Sequence, residues 1–426
     1  MKQFVRILCA CITVYILNGE VHAATVHLLS ALQDNPSAIE SGDQIVLTFG
    51  SEYIIISNDS VQISNARVLA SGIAPAELVV LRDRRPMDQR QGYHVLYSQA
   101  GFRLAHVANI EALSSHPDIQ ILSVTESRVI LKMITPRRAE PDPTVTALLS
   151  TLSIDKYSAY LMDLAPDDAT RYTCSIANQT ARDKIQKHFT DLGLSSSVMP
   201  FKAFCSTDCN RQPGDNVIGI KAGATRPQEY VLIGAHYDSI SPIACNQAPG
   251  ANDNASGVAA VMEIARAFSG VSTERSVLFV AFSGEEQGLI GSKYLARVLK
   301  NMGLLEQMRG FLILDMISYY KNNYGVIAEG SDHTSEQIAI LEEMAQLCAT
   351  YTPLTLKIST SYSGSDHVPF LNDSLSGCLL IENDWSDYAY YHTVQDTFTY
   401  QNMEFGMDVV RLATAFTATH GGLLPQ

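Results

Sequence analysis

The chain has 426 residues, of which 46% are hydrophobic and 17% are charged. This length allows one large catalytic domain together with a smaller one. The formal net charge of -14 argues against a nucleic-acid partner, because phosphate binding requires clustered Lys and Arg side chains. We therefore expect a globular protein with no nucleic-acid partner.

Residues 1–23 have the features of a secretory signal peptide. Lys2 and Arg6 give a positively charged start, residues 7–17 are apolar, and the small-residue pattern VHA precedes Ala24. The apolar run is too short to span a bilayer comfortably. The sequence thus predicts a secreted protein, extracellular or periplasmic, with no membrane association once the signal is removed.

The cysteines that remain after signal removal indicate disulfide bonds. In an oxidising compartment some of them should pair, and the segment CSTDC (205–209) is either a single loop staple or half of two bridges. The pairing cannot be derived from the sequence. Spacings of the CxxC type are absent, so we interpret the thiols as structural rather than as zinc ligands. The six residues are Cys174, Cys205, Cys209, Cys245, Cys348 and Cys378.

Residues 24–135 form an N-terminal region with the pattern of short strands, such as QIVLTF (44–49) and EYIIIS (52–57). Residues 136–143, PRRAEPDP, contain three prolines and a dibasic pair, so they predict an exposed linker. Two hypotheses follow for the N-terminal region. It is a propeptide that covers the cleft until it is cut near Arg137 and Arg138, or it is a permanent accessory domain that shapes access.

Residues 144–426 have a different pattern, in which apolar strands alternate with helical segments. Because the strands are apolar throughout, they indicate a sheet buried on both faces. The fold class is therefore α/β, with a central, mostly parallel but mixed sheet, helices on both faces and a small β-rich N-terminal region. The strands are YVLIGA (230–235), SVLFVAF (276–282), FLILDMI (311–317) and CLLIE (378–382).

Polar side chains follow these strands, at the sheet edge where open α/β folds bind their ligands. Each of these residues alone has an ordinary structural interpretation, as a helix cap or a solvated loop residue. Together they would repel one another and lose solvation without a cation. Imidazole and carboxylate groups are zinc ligands, so the sequence predicts a metal site. The residues are His236, Asp238, Asp253, Glu285, Glu286, Asp315 and His392.

Six segments within roughly residues 144–420 occur in a characteristic order and spacing: HYDS, APGANDNASGVAAV, SGEEQGLIGS, LDM, SDH and YHTVQDT. They resemble the secreted di-zinc aminopeptidases, of which bacterial leucyl aminopeptidase is typical. The resemblance implies a zinc-exopeptidase fold and two zinc ions per chain. It also implies that Asp253 bridges the two ions. Glu286 and His392 would complete the ligands of one ion, and His236 and Asp315 those of the other.

The same resemblance implies roles for residues around the metals. Glu285 would be the general base, which takes a proton from water and delivers it to the leaving amine. Asp238 would orient the imidazole of the neighbouring ligand. Tyr362 would donate to the developing oxyanion, although Thr360 and Gly364 replace a disulfide that brackets this tyrosine in the leucyl enzyme.

The substrate pocket is expected to include Met316 and Tyr391. The acidic residues Glu382, Asp384 and Asp387 would either favour a basic N-terminal side chain or form a charged, solvent-facing loop. We favour the loop. The expected function is N-terminal trimming of peptides that have a free N-terminus, by a monomer.

Three alternatives remain open. A glutaminyl cyclase would use one zinc, but such enzymes carry a tryptophan where this chain has Tyr391. A carboxypeptidase would need arginines for the terminal carboxylate, and the stretches 360–371 and 378–392 contain none, although other loops could supply one. A non-catalytic binding protein of this fold should show gaps in the ligand set, and none is visible.

Overall fold

The computed structural model describes residues 24–30, 45–49, 52–58, 66–116, 118–124, 128–133, 136, 138–203, 205, 209 and 212–425. The predicted signal peptide lies outside these residues, as does Arg137 of the dibasic pair. Among the described residues, none of the helices has the length and apolar character needed to cross a bilayer.

The N-terminal region is β-rich, as expected, and holds a single short α-helix among its described residues, α1 Ile110–Ser114. The predicted strands over 44–49 and 52–57 are confirmed. The strands are β1 Ala24–Ser30, β2 Ile45–Phe49, β3 Glu52–Asn58, β4 Arg67–Ile73, β5 Leu78–Asp83, β6 His94–Gln99, β7 Phe102–His106, β8 Ile119–Ser123 and β9 Arg128–Met133.

The strands that follow the linker build the C-terminal part of the sheet, and all four predicted apolar segments are among them. The predicted third segment is shorter than expected, because its strand ends at Leu314, before Asp315. The strands are β10 Ser195–Phe201, β11 Gly214–Lys221, β12 Arg226–His236, β13 Arg275–Phe282, β14 Met308–Leu314, β15 Gly325–Glu329, β16 Thr355–Ser359 and β17 Gly377–Glu382.

The helices cover both faces of the sheet. The first of them begins at Pro143, one residue inside the predicted linker, because Asp142 accepts from the N–H groups of Thr144 and Val145 and proline is tolerated at the first helical position. The helices are α2 Pro143–Leu149, α3 Ile154–Leu164, α4 Ile176–Asp191, α5 Ser256–Ser269, α6 Ile290–Asn301, α7 Ser335–Tyr351, α8 Val368–Asn372 and α9 Met403–Gly421.

Thirteen of the described strands form one mixed sheet, in the order β10-β11-β13-β12-β14-β17-β15-β16-β9-β2-β3-β1-β4. Strands β12, β13, β14 and β17 are parallel, so their carboxyl ends meet at one edge. Strands β5 to β8 form a second, antiparallel sheet in the order β6-β7-β5-β8. The N-terminal region is therefore joined to the central sheet through β9 and β16, which the sequence did not predict.

Two hydrophobic clusters fill the two faces of the central sheet. Ile233 of β12 packs with helices α2 to α5, α7 and α9, whereas the adjacent Leu232 packs with α6, α8 and the strands of the N-terminal region. The alternation follows from the period of two in a β-strand. Both faces are therefore buried, which explains why the strands are apolar throughout.

Candidate metal centre

Asp253 lies between two histidines. It is buried in the turn Ala251–Ala255 that precedes α5. Its Oδ1 is 3.3 Å from Nε2 of His236, and its Oδ2 is 3.1 Å from Nε2 of His392. Each carboxylate oxygen thus faces a different imidazole, as expected for a carboxylate that bridges two cations.

The other predicted ligands complete the cluster. Glu286 Oε2 is 3.1 Å from Nε2 of His392, and Asp315 Oδ1 is 3.4 Å from Nε2 of His236. Potential ligand atoms lie within 4.8 Å of one another in two groups, which are His236 with Glu285 and Asp315, and His236 with Asp253 and Glu286. The structure therefore brings together all five predicted ligands and the predicted base.

The donor atoms suit a cation. Glu286 Oε1 and Asp315 Oδ1 are buried and accept no hydrogen bond, which is costly unless a positive ion is nearby. Burial raises the pKa of Glu286 to about 7 and raises that of Glu285 well above its usual value. Burial alone would lower the pKa of His236, yet the carboxylates of Glu285 and Asp315 raise it far above normal. Mutual repulsion among these buried acidic groups, together with their attraction for the imidazoles, is the electrostatic pattern of a cation site.

Asp238 contacts His236 chiefly through its backbone. Its carbonyl oxygen is 3.1 Å from Nδ1 of His236, and its Oδ1 lies 3.6 Å from the same nitrogen. The carboxylate also accepts from the backbone N–H groups of Glu285 and Glu286, at 3.3 and 3.2 Å. One buried carboxylate thereby connects a candidate ligand with the loop that carries the candidate base.

Two further residues that hold the site were not predicted. Asp396 accepts from the backbone N–H groups of Asn252 and Asp253. Arg171 donates to the carbonyl oxygens of residues 164, 237, 249 and 250, and so connects the loop after His236 with the turn before Asp253. Asp396 lies in the segment YHTVQDT, which the sequence analysis had already singled out, so its place near the site could have been predicted. Arg171 contacts the site only through backbone carbonyl oxygens. Such contacts leave no local pattern in the sequence.

The residues predicted to lie near the substrate differ in where the structure places them. Met316 and Tyr391 line a cavity of about 10 Å³ together with Asp253, Glu285 and His392, so their placement agrees with the prediction. The hydroxyl of Tyr362 instead donates to Asn372 Oδ1 at 3.3 Å, and this tyrosine does not line that cavity. Its role as an oxyanion donor stays a prediction.

The acidic segment after β17 is not the solvent-facing loop that we favoured. Glu382 is buried, where it accepts from Asn252 Nδ2 at 2.7 Å and from the backbone N–H of Tyr319 at 2.8 Å. Asp384 accepts from three consecutive backbone N–H groups, residues 321–323. Both carboxylates therefore hold the loop after β14 in place, and only Asp387 is exposed.

The cysteines form two bridges among the described residues, Cys174–Cys205 and Cys209–Cys245. The segment 205–209 is therefore half of two bridges, the second of the two possibilities. Cys348 and Cys378 are free and buried. The bridges fasten the loop that precedes α4 and the loop that follows His236.

Residues 216–416 match the family model Peptidase family M28. This part of the chain is therefore similar to peptidase family M28. The chain is 31% identical over 241 residues to a probable zinc metalloprotease of Pyrenophora teres f. teres, covering 52% of this chain and 48% of the relative. It is 29% identical over 227 residues to aminopeptidase YwaD of Bacillus subtilis, covering 51% and 46%. The chain thus spans about half the length of these two curated relatives. The metalloprotease relative supports zinc as the metal of this site.

Solved structures share the fold of this chain. A zinc aminopeptidase from Bacillus subtilis, BSAP, has a TM-score of 0.56 at 17% identity and covers 64% of this chain and 96% of its own. LapB from Legionella pneumophila has a TM-score of 0.58 at 20% identity and covers 81% and 99%. The LapB match is longer than residues 144–426, so it extends into the N-terminal region. Glutaminyl cyclase from Porphyromonas gingivalis shares the fold too, with a TM-score of 0.52 at 18% identity, covering 63% and 98%.

Proposed function

We propose that this chain is a secreted, zinc-dependent aminopeptidase, which hydrolyses the N-terminal peptide bond of peptides that have a free N-terminus. The observation that carries the proposal is the carboxylate of Asp253, with one oxygen facing His236 and the other facing His392. Asp253, Glu286, His392, His236 and Asp315 would hold two zinc ions. The disulfides are consistent with an extracellular protein.

Glu285 is the residue that we assign to proton transfer. When bound, zinc polarises the peptide carbonyl and lowers the pKa of water. Glu285 lines the same small cavity as Asp253, Asp315 and His392, so it lies within reach of a water at the cluster. Its carboxylate takes the proton of the attacking water and then gives it to the leaving amine. Tyr362 would have to turn away from Asn372 to reach an oxyanion.

Each alternative function requires a different feature of the site. A glutaminyl cyclase shares the fold but would hold a single zinc, and it would act on N-terminal glutamine. A carboxypeptidase needs a cation for the substrate's terminal carboxylate. Arg82 and Arg84 of the N-terminal region line the larger cavity beside Glu285 and His392, so such a cation exists outside the stretches 360–371 and 378–392. The aminopeptidase remains our proposal because its ligand and base positions are all filled.

The decisive experiment combines metal analysis with kinetics on the chain from Ala24 onward, before and after the linker is cut. We expect about two zinc ions per chain, hydrolysis of aminoacyl-anilides, and loss of activity on chelation that zinc restores. Glu285→Gln should lower turnover by about a hundredfold or more while zinc content stays at two. Glu404→Gln, on the exposed start of α9, is the matched control.

Other results would favour one of the alternative functions or refute the assignment of the base. One zinc with cyclisation of N-terminal glutamine would favour the cyclase. Cleavage that requires a free C-terminal carboxylate would favour the carboxypeptidase. Undiminished turnover in Glu285→Gln would refute the assignment of the base. Comparing leucine-, lysine- and arginine-anilides would then define the preferred N-terminal residue.

A further inference from the structure

A cavity of about 820 Å³ opens beside the loop that carries the candidate base. This volume lies within the range of about 300–1,000 Å³ that is typical of ligand pockets. None of its described lining residues belongs to the N-terminal region, and none is a candidate metal ligand. We call it the basic cavity, and we define it by Phe201, Lys202, Ile290, Lys293, Tyr294 and Arg297.

The floor of the basic cavity is apolar and closely packed. Phe201 is 6% exposed, and its ring centroid lies 6.2 Å from that of Tyr294. Phe201 also lies against Gly284, where a Cβ atom would be only 3.3 Å from the ring. Gly284 has a φ of 76° and immediately precedes Glu285. The floor of the cavity and the loop of the candidate base therefore pack directly against each other.

Three cations surround this floor. Lys202, Lys293 and Arg297 are exposed, and the described lining of the basic cavity contains neither Asp nor Glu. The guanidinium carbon of Arg297 lies 5.1 Å from the ring centroid of Tyr294, and Lys293 Nζ donates to the carbonyl oxygen of Gly288 at 2.9 Å. Within the part of the chain that the structure describes, no carboxylate pairs with any of the three cations. Their charges therefore face solvent, where an anion can reach them.

This local positive charge contrasts with the formal net charge of -14 for the whole chain. A protein with a negative net charge repels an acidic peptide at long range, so binding of such a peptide requires local cations. The basic cavity supplies these cations next to an apolar floor. It is therefore suited to a ligand that has both carboxylate and apolar groups.

The basic cavity joins the cleft beside the metal centre. Gly288 and Lys293 line both the basic cavity and the cavity of about 380 Å³ that Glu285, Glu286 and His392 also line. In an aminopeptidase substrate, a single residue precedes the scissile bond, whereas the leaving part can be several residues long. An extended peptide advances about 3.3 Å per residue, so the leaving part passes beyond the cleft within a few residues. The basic cavity, which is the larger of the two, suits this longer part.

We propose that the basic cavity is a subsite for the leaving part of the substrate, and that it selects peptides with an acidic side chain a few residues after the scissile bond. Lys202 and Arg297 pair with that carboxylate, while Phe201 and Tyr294 pack against the neighbouring residues of the peptide. This inference rests on the proposed aminopeptidase function and names the class of peptide that it favours.

A series of C-terminally amidated peptides tests the subsite. Each peptide begins with leucine, consists otherwise of alanine, and carries either glutamate or lysine at one position after the first. For each position, kcat/KM of the zinc-bound protein for the glutamate peptide is divided by that for the lysine peptide. This selectivity ratio does not depend on how much of the protein is active, so a partly misfolded variant does not distort it. The variants are Arg297→Gln, Arg297→Glu and, as a control on the same helix, Lys300→Gln, whose exposed side chain pairs with Asp373.

We expect a wild-type selectivity ratio of about 3 to 10 at one or two adjacent positions, because an exposed ion pair contributes a factor of up to about five and more than one cation faces the cavity. Arg297→Gln should bring the ratio close to one, and Arg297→Glu should reverse the preference. Lys300→Gln should keep the wild-type ratio. In about 1 M NaCl, where the screening length is about 3 Å, the wild-type ratio should fall.

Peptide binding is measured separately from hydrolysis. Fluorescence anisotropy follows a dye-labelled, N-acetylated acidic peptide and its lysine counterpart on the chelated protein. If no form of the protein hydrolyses any peptide, but the acidic peptide alone binds and Arg297→Glu abolishes its binding, the basic cavity stands as an acidic-peptide site and the aminopeptidase proposal fails. If there is neither hydrolysis nor binding, both proposals fail.

Four results would overturn the proposed subsite. The first is a wild-type ratio near one at every position, and the second is a ratio that Arg297→Glu leaves unchanged. The third is a preference that appears only when the same peptides are left unamidated, because the ligand would then be the terminal carboxylate. The fourth is a dimer, detected by light scattering, that Arg297→Glu dissociates, because a second copy of the chain would then occupy the cavity.

Discussion

Asp396 holds Asp253 by its backbone. Oδ2 of Asp396 accepts from the backbone N–H of Asp253 at 3.0 Å, and Oδ1 accepts from that of Asn252 at 2.9 Å. The hydroxyl of Tyr388 donates to the same Oδ1 at 2.7 Å. Asp396 therefore fixes the orientation of Asp253, although Asp396 is not itself one of the candidate metal ligands.

Replacing Asp396 should therefore weaken zinc binding without removing a ligand. We expect Asp396→Ala to lower zinc affinity by about tenfold to a hundredfold, the usual effect of losing a group that orients a ligand. Competition with a chromogenic chelator measures the affinity. Asp373→Ala, whose side chain pairs with Lys300 near the surface, is the control and should bind zinc normally. Equal affinities in the two variants would contradict the positioning role.

Arg171 should be needed for stability as well as for the metal site. It is 1% exposed and donates to four backbone carbonyl oxygens, so Arg171→Met leaves these buried acceptors without a donor. We expect the free energy of unfolding to fall by about 3 kcal/mol or more, measured by urea denaturation with zinc bound. Arg411→Met, at a partly exposed position on α9, should change it little. A small loss in Arg171→Met would count against the role.

The ion pair between Arg82 and Glu329 should make stability depend on acid pH. Burial alone would raise the pKa of Glu329, but Arg82 and His367 lower it to about 2 from 4.5. A carboxyl whose folded pKa is depressed stabilises the fold above its unfolded pKa, and this contribution disappears as the pH falls from 4.5 to 2. The difference corresponds to about 3 kcal/mol at neutral pH.

Urea denaturation from pH 7 to pH 2, in the presence of a chelator, measures this effect. The stability of the wild type should fall more steeply below pH 4.5 than that of Glu329→Gln. Glu306→Gln, an exposed position, should follow the wild type. Parallel curves for wild type and Glu329→Gln would show that the pair contributes nothing.

The two disulfides predict how many free thiols the protein has. In the chain from Ala24 onward, the unreduced and denatured protein should present two thiols, Cys348 and Cys378, and the native protein none, because both are buried. Changing Cys209 and Cys245 together to Ser should lower the free energy of unfolding by about 2–4 kcal/mol, because the bridge closes a loop of 36 residues. A count of four or more would contradict the observed pairing.

The sequence predicted four central strands and the gathering of acidic and histidine side chains because both have local signals. The strands β12, β13, β14 and β17 are apolar throughout, and the polar residues stand where these strands end. Parallel strands then bring those ends to one edge. Chain direction and hydrophobic pattern are thus sufficient to gather His236, Asp315 and Glu286.

What the sequence did not predict depends on contacts between distant segments. Arg84 reaches Gly364 across 280 positions, and Arg171 binds carbonyl groups, which every residue carries. Glu382 looks like a surface acid until Asn252 and Tyr319 are known to surround it. The pairing of β9 with β16 also leaves no pattern, since strands pair through backbone groups, which every residue carries.

Strand β16 lies inside the sheet only because β9 covers it. Without β9, the backbone groups of Thr355–Ser359 would be an open edge, to which another copy could add a strand. The edge is five residues long and carries Lys357, and short length and a lysine both oppose such pairing. The pairing with β9 therefore satisfies backbone groups that would otherwise be open to a neighbouring molecule.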